Sequence, residues 1–244
     1  MSADTFGFPQ TCGWPAIDAA GMAEVDQLMT ETYGISLPQM MENAGRALAV
    51  LARARYFGGS VVGRQIMVLA GSGGNGGGVL TAARRLATWG AQVRIILSKD
   101  PSEMTPVPGQ QLAILRAMGI KPGSEKGAAP DLILDGLIGY SLRGLPVGRT
   151  AELIYWANCY PAPVLSLDVP SGFDAQTGTL LAPWVRADAT LTLGLPKRGM
   201  AAVPDAVGDL YLADISVPPG LYERLEHPLA APGFEAGEIL RLCD

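Results

Sequence analysis

The sequence contains few histidines, cysteines, aromatic residues and charged residues. Its 244 residues include one histidine and three cysteines, and the aromatic and charged shares are 7% and 17%. Cys12, Cys159 and Cys243 are scattered along the chain, which fits neither a disulfide framework nor a zinc motif. We therefore expect reduced thiols. The single histidine, His227, lies near the C-terminus, where we expect a surface position.

The sequence also lacks an excess of positive charge and a long apolar run. The formal net charge is −5, which gives nucleic-acid binding little electrostatic support. No apolar run reaches the roughly 18 residues that span a bilayer. The first residues, MSADTFGFPQTCGWP, show no basic and apolar regions typical of a signal peptide. These features predict a cytoplasmic protein that binds neither nucleic acid nor a membrane.

Apolar residues make up 48% of the chain, and they recur in short runs that alternate with helical patterns. Strands are predicted at 66–70, 92–98, 131–135, 164–168, 189–194 and 209–215, and helices at 16–33, 37–56, 78–90, 109–119 and 149–160. This alternation predicts one α/β domain over 1–244, a Rossmann-like three-layer α/β/α sandwich with a mostly parallel sheet. Its core spans about 15–220, and the tail 221–244 is expected to pack across the surface or fray.

Four segments follow predicted strands and are rich in Gly, Asp, Ser or Lys. They are 71–78, 135–145, 168–178 and 194–199. In sheets of this kind, ligands bind beyond the carboxyl ends of the parallel strands. We therefore expect the four segments to converge on one ligand site.

The segment Gly71–Gly78 reads GSGGNGGG and contains six glycines. Glycine permits positive φ and close approach of a ligand, and a helix start favours an anion. No Lys-Ser/Thr pair follows, so this is not a Walker A motif. The G-x-G-x-x-G pattern, with Asp100 further on, leaves a dinucleotide dehydrogenase open, and a tight turn without a ligand is the structural alternative.

Asp135 and Asp168 each close a predicted strand. Two carboxylates at the ligand edge of a sheet could divide the work, one holding a hard cation and one moving protons. The alternative for each is helix capping or turn formation. Ser171 is close enough in sequence to offer a hydroxyl to the site of Asp168, and Asp174 is expected only to cap the following turn.

Taken together, these segments resemble the YjeF N-terminal domain family, the NAD(P)H-hydrate epimerases. The resemblance covers roughly residues 15–220. It rests on MMENAG (40–45), GSGGNGGGVLTAARRL (71–86), LILDGLIG (132–139), LSLDVPSGFDAQTG (165–178), GLPKRGM (194–200) and DLYLADISVPP (209–219). The Asp-x-Pro-Ser-Gly-x-Asp segment is the most specific of these motifs.

The resemblance implies a three-layer α/β/α fold, a homodimer and an isomerase of metabolite repair. Such an enzyme interconverts the R and S forms of NAD(P)HX, nicotinamide nucleotides damaged by water addition at C6. It also implies a K⁺ ion held by Asn75, Asp135 and Ser171, with Asp168 as catalytic and substrate-binding residue. The other implied substrate-binding residues are Gly74, Asn75, Gly76, Gly77, Gly78, Gly139, Tyr140, Ser141, Leu142, Arg143, Gly144 and Leu145. Lys197 matches a lysine of the family to which we assign no role.

The chain departs from the family pattern in the loops implied to bind substrate. The family's glycine loop usually reads Gly-Pro-Gly-Asn-Asn-Gly-Gly-Asp-Gly, and its next loop reads Phe-Gly-Thr-Gly. Here Gly74 and Gly78 replace an asparagine and an aspartate, and Tyr140 stands where threonine is usual. Two alternatives to the epimerase therefore stay open. One is a homologue with weak or no catalysis that binds a nucleotide-like ligand or acts as a scaffold. The other is an enzyme on the same fold with a different substrate.

Overall fold

The computed structural model describes residues 3–124, 127 and 129–243 and contains ten strands and seven α-helices in that part of the chain. The strands are β1 (Gln10–Cys12), β2 (Gln65–Ala70), β3 (Gln92–Leu97), β4 (Leu132–Gly136), β5 (Val164–Leu167), β6 (Phe173–Asp174), β7 (Thr179–Leu180), β8 (Ala189–Leu193), β9 (Asp209–Ala213) and β10 (Ile239–Cys243). The helices are α1 (Ala19–Gln27), α2 (Leu37–Phe57), α3 (Gly74–Thr88), α4 (Pro106–Ala117), α5 (Gly148–Cys159), α6 (Pro204–Val207) and α7 (Pro219–Tyr222). A π-helical turn over Leu28–Thr32 continues α1.

Eight strands form one sheet in the order β1-β10-β9-β8-β5-β4-β2-β3, and β6 pairs with β7 in a small hairpin. Every neighbouring pair in the large sheet is parallel except β10 with β9. The chain runs from β2 to β3 on one side and then crosses to β4 on the other. Such a reversal of strand order opens a crevice at the carboxyl ends of β2 and β4, where α/β proteins bind ligands.

Helices cover both faces of the sheet, as predicted. Residues Ile66, Val68 and Ala70 of β2 belong to a core shared with α2, α3 and α4. The alternate residues Met67 and Leu69 belong to a second core shared with α5. Because successive side chains of a strand point to opposite faces, a strand covered on both sides is apolar throughout. This explains why the central strands could be recognised as short apolar runs.

The C-terminal tail differs from its prediction over its last described residues. Residues Ile239–Cys243 form β10, which pairs antiparallel with β9 and parallel with β1. The N- and C-terminal segments therefore extend the sheet, and Cys12 lies directly opposite Cys243 in the strand register although the two are far apart in sequence. In the part of the chain that the structure describes, no helix is long and apolar enough to cross a membrane.

Candidate functional site

The four segments predicted to form a site do converge at the carboxyl edge of the sheet. The Gly71 amide donates to the carbonyl of Gly136 at 3.0 Å, which joins the loops after β2 and β4. The Asn75 side chain donates to the carbonyl of Leu167 at 2.7 Å, at the end of β5. The loop after β8 reaches the same place through an ion pair of Lys197 with Asp168.

The glycine segment differs from its prediction in two ways. Helix α3 begins at Gly74 rather than at residue 78, so Gly74 to Gly78 are its first turns. None of the six glycines has a positive φ. Four of them, Gly71, Gly76, Gly77 and Gly78, are closely packed instead. A Cβ on Gly76 would lie 1.9 Å from the Gly71 carbonyl oxygen, and a Cβ on Gly78 would lie 2.4 Å from Leu167. The glycines let the start of α3 approach the ends of β2 and β5, and Gly77 is buried against Met41 and Pro108.

This packing predicts that alanine at Gly76 and alanine at Gly74, two glycines of the same helical turn, will have different effects on the free energy of unfolding. Gly76→Ala should lower the free energy of unfolding by about 1–3 kcal/mol or more, because the new methyl group meets backbone that cannot yield freely. Gly74→Ala should leave it unchanged or raise it by about 0.5–1 kcal/mol, because nothing lies within 4 Å of a Cβ there and alanine favours a helix. Urea unfolding of both variants measures the difference, and equal losses of stability would contradict this account.

Asp135 is fully buried and holds the loop after β5 in place. Its Oδ1 accepts from Ser171 Oγ at 2.6 Å and from the Leu137 amide at 3.2 Å. Its Oδ2 accepts from Ser166 Oγ at 2.8 Å and from the Ser171 amide at 2.9 Å. Burial raises the pKa of Asp135, and these four hydrogen bonds act in the opposite direction. Ser171 therefore serves the site of Asp135, not that of Asp168 as its sequence position suggested.

The three residues predicted to bind a cation lie in one cluster around Ile138. The Asn75 amide donates to the Ile138 carbonyl at 3.2 Å, and the Ile138 amide donates to Ser171 Oγ at 2.9 Å. Ser171 in turn bonds to Asp135. A Cβ on Gly139 would lie 2.6 Å from Asn75 Oδ1, so glycine at that position leaves room for the carboxamide. The structure thus brings the three predicted cation ligands together in one cluster.

Asp168 occupies a strained and buried position at the end of β5. Its φ is +67°, a left-handed conformation that few residues other than glycine, asparagine and aspartate adopt readily. The side chain is 2% exposed, and Oδ1 pairs with the ammonium of Lys197, which is 0% exposed. Oδ2 is buried and has no hydrogen-bond partner among the described residues. An unpartnered buried carboxylate oxygen is unusual in a folded protein and marks a candidate for chemistry.

Lys197 is held by several acceptors besides Asp168. Its ammonium donates to the carbonyls of Leu193 at 2.8 Å and Leu195 at 3.1 Å. It also approaches Thr192 Oγ1 at 3.4 Å. The loop after β8 thus fixes the cation that compensates the charge of Asp168.

Two connected cavities lie in front of these groups. The inner cavity, of about 120 Å³, is lined mostly by apolar residues and glycines, with Asp26, Asn75, Tyr140 and Asp168 as its polar side chains. The outer groove, of about 770 Å³, runs along the start of α3 and the segment 137–147. All residues predicted to bind substrate line one of the two cavities except Gly77 and Gly144. The predicted cation ligands Asp135 and Ser171 line neither cavity. The site therefore consists of a small, mostly apolar pocket and a larger groove lined by both polar and apolar residues.

Asp26 and Tyr140 meet at the junction of the two cavities. The Tyr140 hydroxyl donates to Asp26 Oδ2 at 2.6 Å, and both residues line both cavities. Burial raises the pKa of Asp26, and the charge of Asp168 adds to this, whereas the Tyr140 hydrogen bond and the charge of Lys197 act against it. Burial and the neighbouring Asp26 also raise the pKa of Tyr140. The cavity therefore contains two carboxyl groups that influence each other.

Sequence reasoning missed Asp26 and gave Lys197 no role. A single acid on an amphipathic helix reads as a solvated surface residue, so Asp26 carried no signal. Two other acids named in the sequence analysis, Asp100 and Asp174, only accept hydrogen bonds from residues of their own turns. Asp100, the acid of the dehydrogenase alternative, accepts from Ser102 at the start of a short 3-10 helix. Asp174 caps its own turn through Gln176 and Thr177, as predicted, and His227 is exposed, also as predicted.

Comparison with known proteins gives consistent results at the levels of family, sequence and fold. The family model described as YjeF-related protein N-terminus matches residues 37–199. A protein of Dehalogenimonas lykanthroporepellens named NAD(P)H-hydrate epimerase is 44% identical over 224 residues, which cover 91% of this chain and 90% of that protein. A protein of Truepera radiovictrix with the same name is 36% identical and is covered to 97%.

Longer relatives and one solved structure match as well. The protein of Hyperthermus butylicus named bifunctional NAD(P)H-hydrate repair enzyme Nnr is 35% identical over 84% of this chain, but only 39% of its own length is matched. The crystal structure of the yeast protein ynu0 superposes with a TM-score of 0.80 at 24% identity, covering 93% of this chain and all of the yeast chain. The match to that structure supports the three-layer fold. The family match and the high identity to proteins of similar length show that this chain belongs to the family of YjeF-related protein N-termini.

Proposed function

We propose that this protein is an NAD(P)H-hydrate epimerase, an isomerase that interconverts the R and S forms of NAD(P)HX. The observation that carries the proposal is the Asp168 carboxylate, buried at the inner cavity with one oxygen unpartnered. The names of the relatives that match nearly full length support the same activity. In this proposal the hydrated nicotinamide ring occupies the inner cavity, and the rest of the nucleotide lies along the outer groove.

The chemistry of the substrate requires a group that moves protons in a water-poor site. The hydroxyl at C6 leaves as water once it is protonated, and the lone pair of the ring nitrogen N1 forms a planar C=N bond. Water then adds to the opposite face of C6 and gives up a proton, which yields the other epimer. A positioned carboxylate is suited to take or give that proton. Asp168 carries out this step in our proposal, and Lys197 positions it.

The test is a direct assay of the purified protein. R-enriched NADHX and NADPHX are incubated with it, and conversion of R to S is followed against the spontaneous rate. We expect acceleration over the spontaneous rate with at least one substrate. Rates equal to the spontaneous rate with both would reject the epimerase and favour a binding homologue. The same assay determines the preference between the two nucleotides.

We also propose that K⁺ binds to Asn75, Asp135 and Ser171. These residues offer oxygen ligands only, which suits a hard cation. Within the described ranges, no group of three or more His, Cys, Asp or Glu side chains forms a metal cluster. Each oxygen of Asp135 already accepts two hydrogen bonds, so we expect Asp135 to contribute mainly its negative charge. A bound K⁺ would supply positive charge close to an anionic nucleotide.

The potassium proposal predicts a cation-specific gain in thermal stability. At a K⁺ concentration tenfold above its Kd, binding stabilises the fold by about 1.4 kcal/mol, which corresponds to roughly 3–5 °C in Tm. Melting curves in KCl, NaCl and choline chloride of equal ionic strength measure the effect. Asn75→Ala should abolish the gain in Tm that KCl produces.

Asn158→Ala provides the matched control for that measurement. The Asn158 amide also bonds to two backbone groups, those of Trp184 and Arg186, but it lies on α5 outside the cluster. Asn158→Ala should lower Tm in all three salts, and it should keep the gain in Tm that KCl gives over choline chloride. Equal Tm values of the unaltered protein in KCl and choline chloride would refute the potassium site. A homodimer and a cytoplasmic location remain predictions from the sequence.

A further inference from the structure

The contact between Asp26 and Tyr140 is a polar feature of the inner cavity that neither the Asp168 chemistry nor the potassium proposal uses. Asp26 lies on α1 and Tyr140 follows β4, so the 2.6 Å hydrogen bond joins two separate parts of the fold. Among the described residues, Tyr140 is the only hydrogen-bond partner of the Asp26 side chain. The second oxygen, Oδ1, is left available to a molecule in the cavity.

Asp26 and Asp168 together give the inner cavity two separate carboxyl groups. Both carboxyl groups line the inner cavity, and they come from different elements, α1 and the loop after β5. The rest of the lining includes the apolar side chains of Met22, Met40 and Leu193. A ring held in this cavity therefore has a carboxyl group available from each element and little water around it. Epimerisation at C6 removes water from one face and adds it to the other, which calls for two such groups.

We propose that Asp26 is the second proton-transfer group of the epimerase, positioned by Tyr140. In one direction, the protonated Asp26 gives its proton to the C6 hydroxyl. The C–O bond breaks, water leaves, and the N1 lone pair forms the C=N bond. A water molecule then attacks C6 from the other face and passes a proton to Asp168. The reverse direction exchanges the two roles, and solvent returns the proton between turnovers. This inference rests on the proposed epimerase function.

The environment of Asp26 favours the form that this role requires. Burial raises the pKa of Asp26, and so does the charge of Asp168, which together favour the protonated carboxyl group. The hydrogen bond from Tyr140 and the charge of Lys197 act in the other direction. Tyr140 thus holds one oxygen of Asp26 in place and also tunes its protonation. In this scheme Tyr140 is a positioning residue, because it acts through Asp26.

The first test replaces Asp26 by asparagine. Asp26→Asn keeps an oxygen that accepts from Tyr140 but can no longer deliver a proton. We expect kcat for R-to-S conversion to fall by about 10²-fold or more, the low end for loss of a general acid, with KM changed less than threefold. Glu24→Gln is the matched control, since Glu24 lies on the same helix, lines neither cavity and accepts from the Glu226 amide. Its kcat should equal that of the unaltered protein.

The second test removes only the hydrogen bond. Tyr140→Phe should raise the pKa of Asp26, so the loss of kcat at high pH should begin at a higher pH than in the unaltered protein. If the contact between Tyr140 and Asp26 were merely structural, Tyr140→Phe would lower stability without shifting the pH at which kcat begins to fall. The charged and titratable groups near Asp26 are Tyr140, Lys197 and Asp168, and only the first is changed. This pH profile also provides a result if Asp26→Asn fails to fold.

The outcomes separate this inference from the function on which it rests. If the unaltered protein does not accelerate epimerisation, the proposed function fails. If it does, and Asp26→Asn keeps its kcat or Tyr140→Phe leaves the pH profile unmoved, the role of Asp26 is overturned while the epimerase stands. The role of Asp26 is supported if Asp26→Asn lowers kcat strongly with KM changed less than threefold, and if Tyr140→Phe shifts the fall of kcat to a higher pH.

Discussion

Asp168→Asn is expected to lower kcat for epimerisation by about 10²–10⁴-fold, the range for loss of a general acid or base. The substitution removes the charge of the carboxylate whose Oδ2 is buried without a partner at the inner cavity. Asparagine is nearly the same shape, so the pocket should keep its form. The measurement is the steady-state rate of R-to-S conversion, with KM determined in parallel.

Asparagine is a better replacement than alanine because of the backbone at this position. The φ of Asp168 is +67°, which asparagine tolerates and alanine does not without strain. A loss of activity in Asp168→Ala would therefore mix lost chemistry with a distorted loop. Asp168→Asn separates the two, provided that its circular dichroism spectrum matches that of the unaltered protein.

Asp174→Asn is the control for the same segment. Asp174 caps the turn through Gln176 and Thr177 and lines neither cavity. Its replacement should leave kcat within about twofold of the original value, since no proton-transfer step depends on it. An Asp168→Asn protein that retains full activity would remove Asp168 from the mechanism and leave Asp26 as the remaining carboxyl group of the cavity.

The fold could be predicted from the sequence because its central strands are buried on both faces. Strands β2, β4 and β5 consist mostly of apolar residues, and the turn-forming residues around them set their limits. The start of α3 was misplaced because glycine is a poor helix former, and tertiary packing against β2 and β5 outweighs that preference here. Strand β10 was missed because five residues after a proline-rich stretch show little periodicity, and its pairing with β1 is set by distant contacts.

The site was predictable only where loops follow strands. Asp135 lies near the end of β4 and Asp168 directly follows β5, so the rule for parallel sheets placed both at the ligand edge. The partner of each acid depended on contacts between distant segments. Ser171 is nearer to Asp168 in sequence yet bonds to Asp135, and Asp168 pairs with Lys197 from a different loop. Asp26 comes from α1, far away in sequence from the strand ends, and no pattern along the chain would connect it to the cavity.

Lys197→Met is expected to lower the free energy of unfolding by about 3–5 kcal/mol, the usual effect of breaking a buried ion pair from one side. The change leaves the carboxylate of Asp168, 2% exposed, without its cation. It also leaves the carbonyls of Leu193 and Leu195 without a donor. Arg198→Met, at the next position, should change stability by less than about 1 kcal/mol, because its pair with Asp18 is at 3.4 Å and its side chain is 67% exposed.

A double-mutant cycle separates the charge from the rest of the lysine. In Asp168→Asn/Lys197→Met both charges are gone, so we expect about 0.5–3 kcal/mol to be recovered relative to Lys197→Met alone. The carbonyls of Leu193 and Leu195 lack the Lys197 donor both in Lys197→Met and in the double variant, so the cost of leaving them without it cancels when the two proteins are compared. Urea unfolding of the four proteins gives the coupling energy. Strict additivity would mean that Lys197 serves only the carbonyls of its own loop, and the charge of Asp168 would then be balanced by another group or by its ligand.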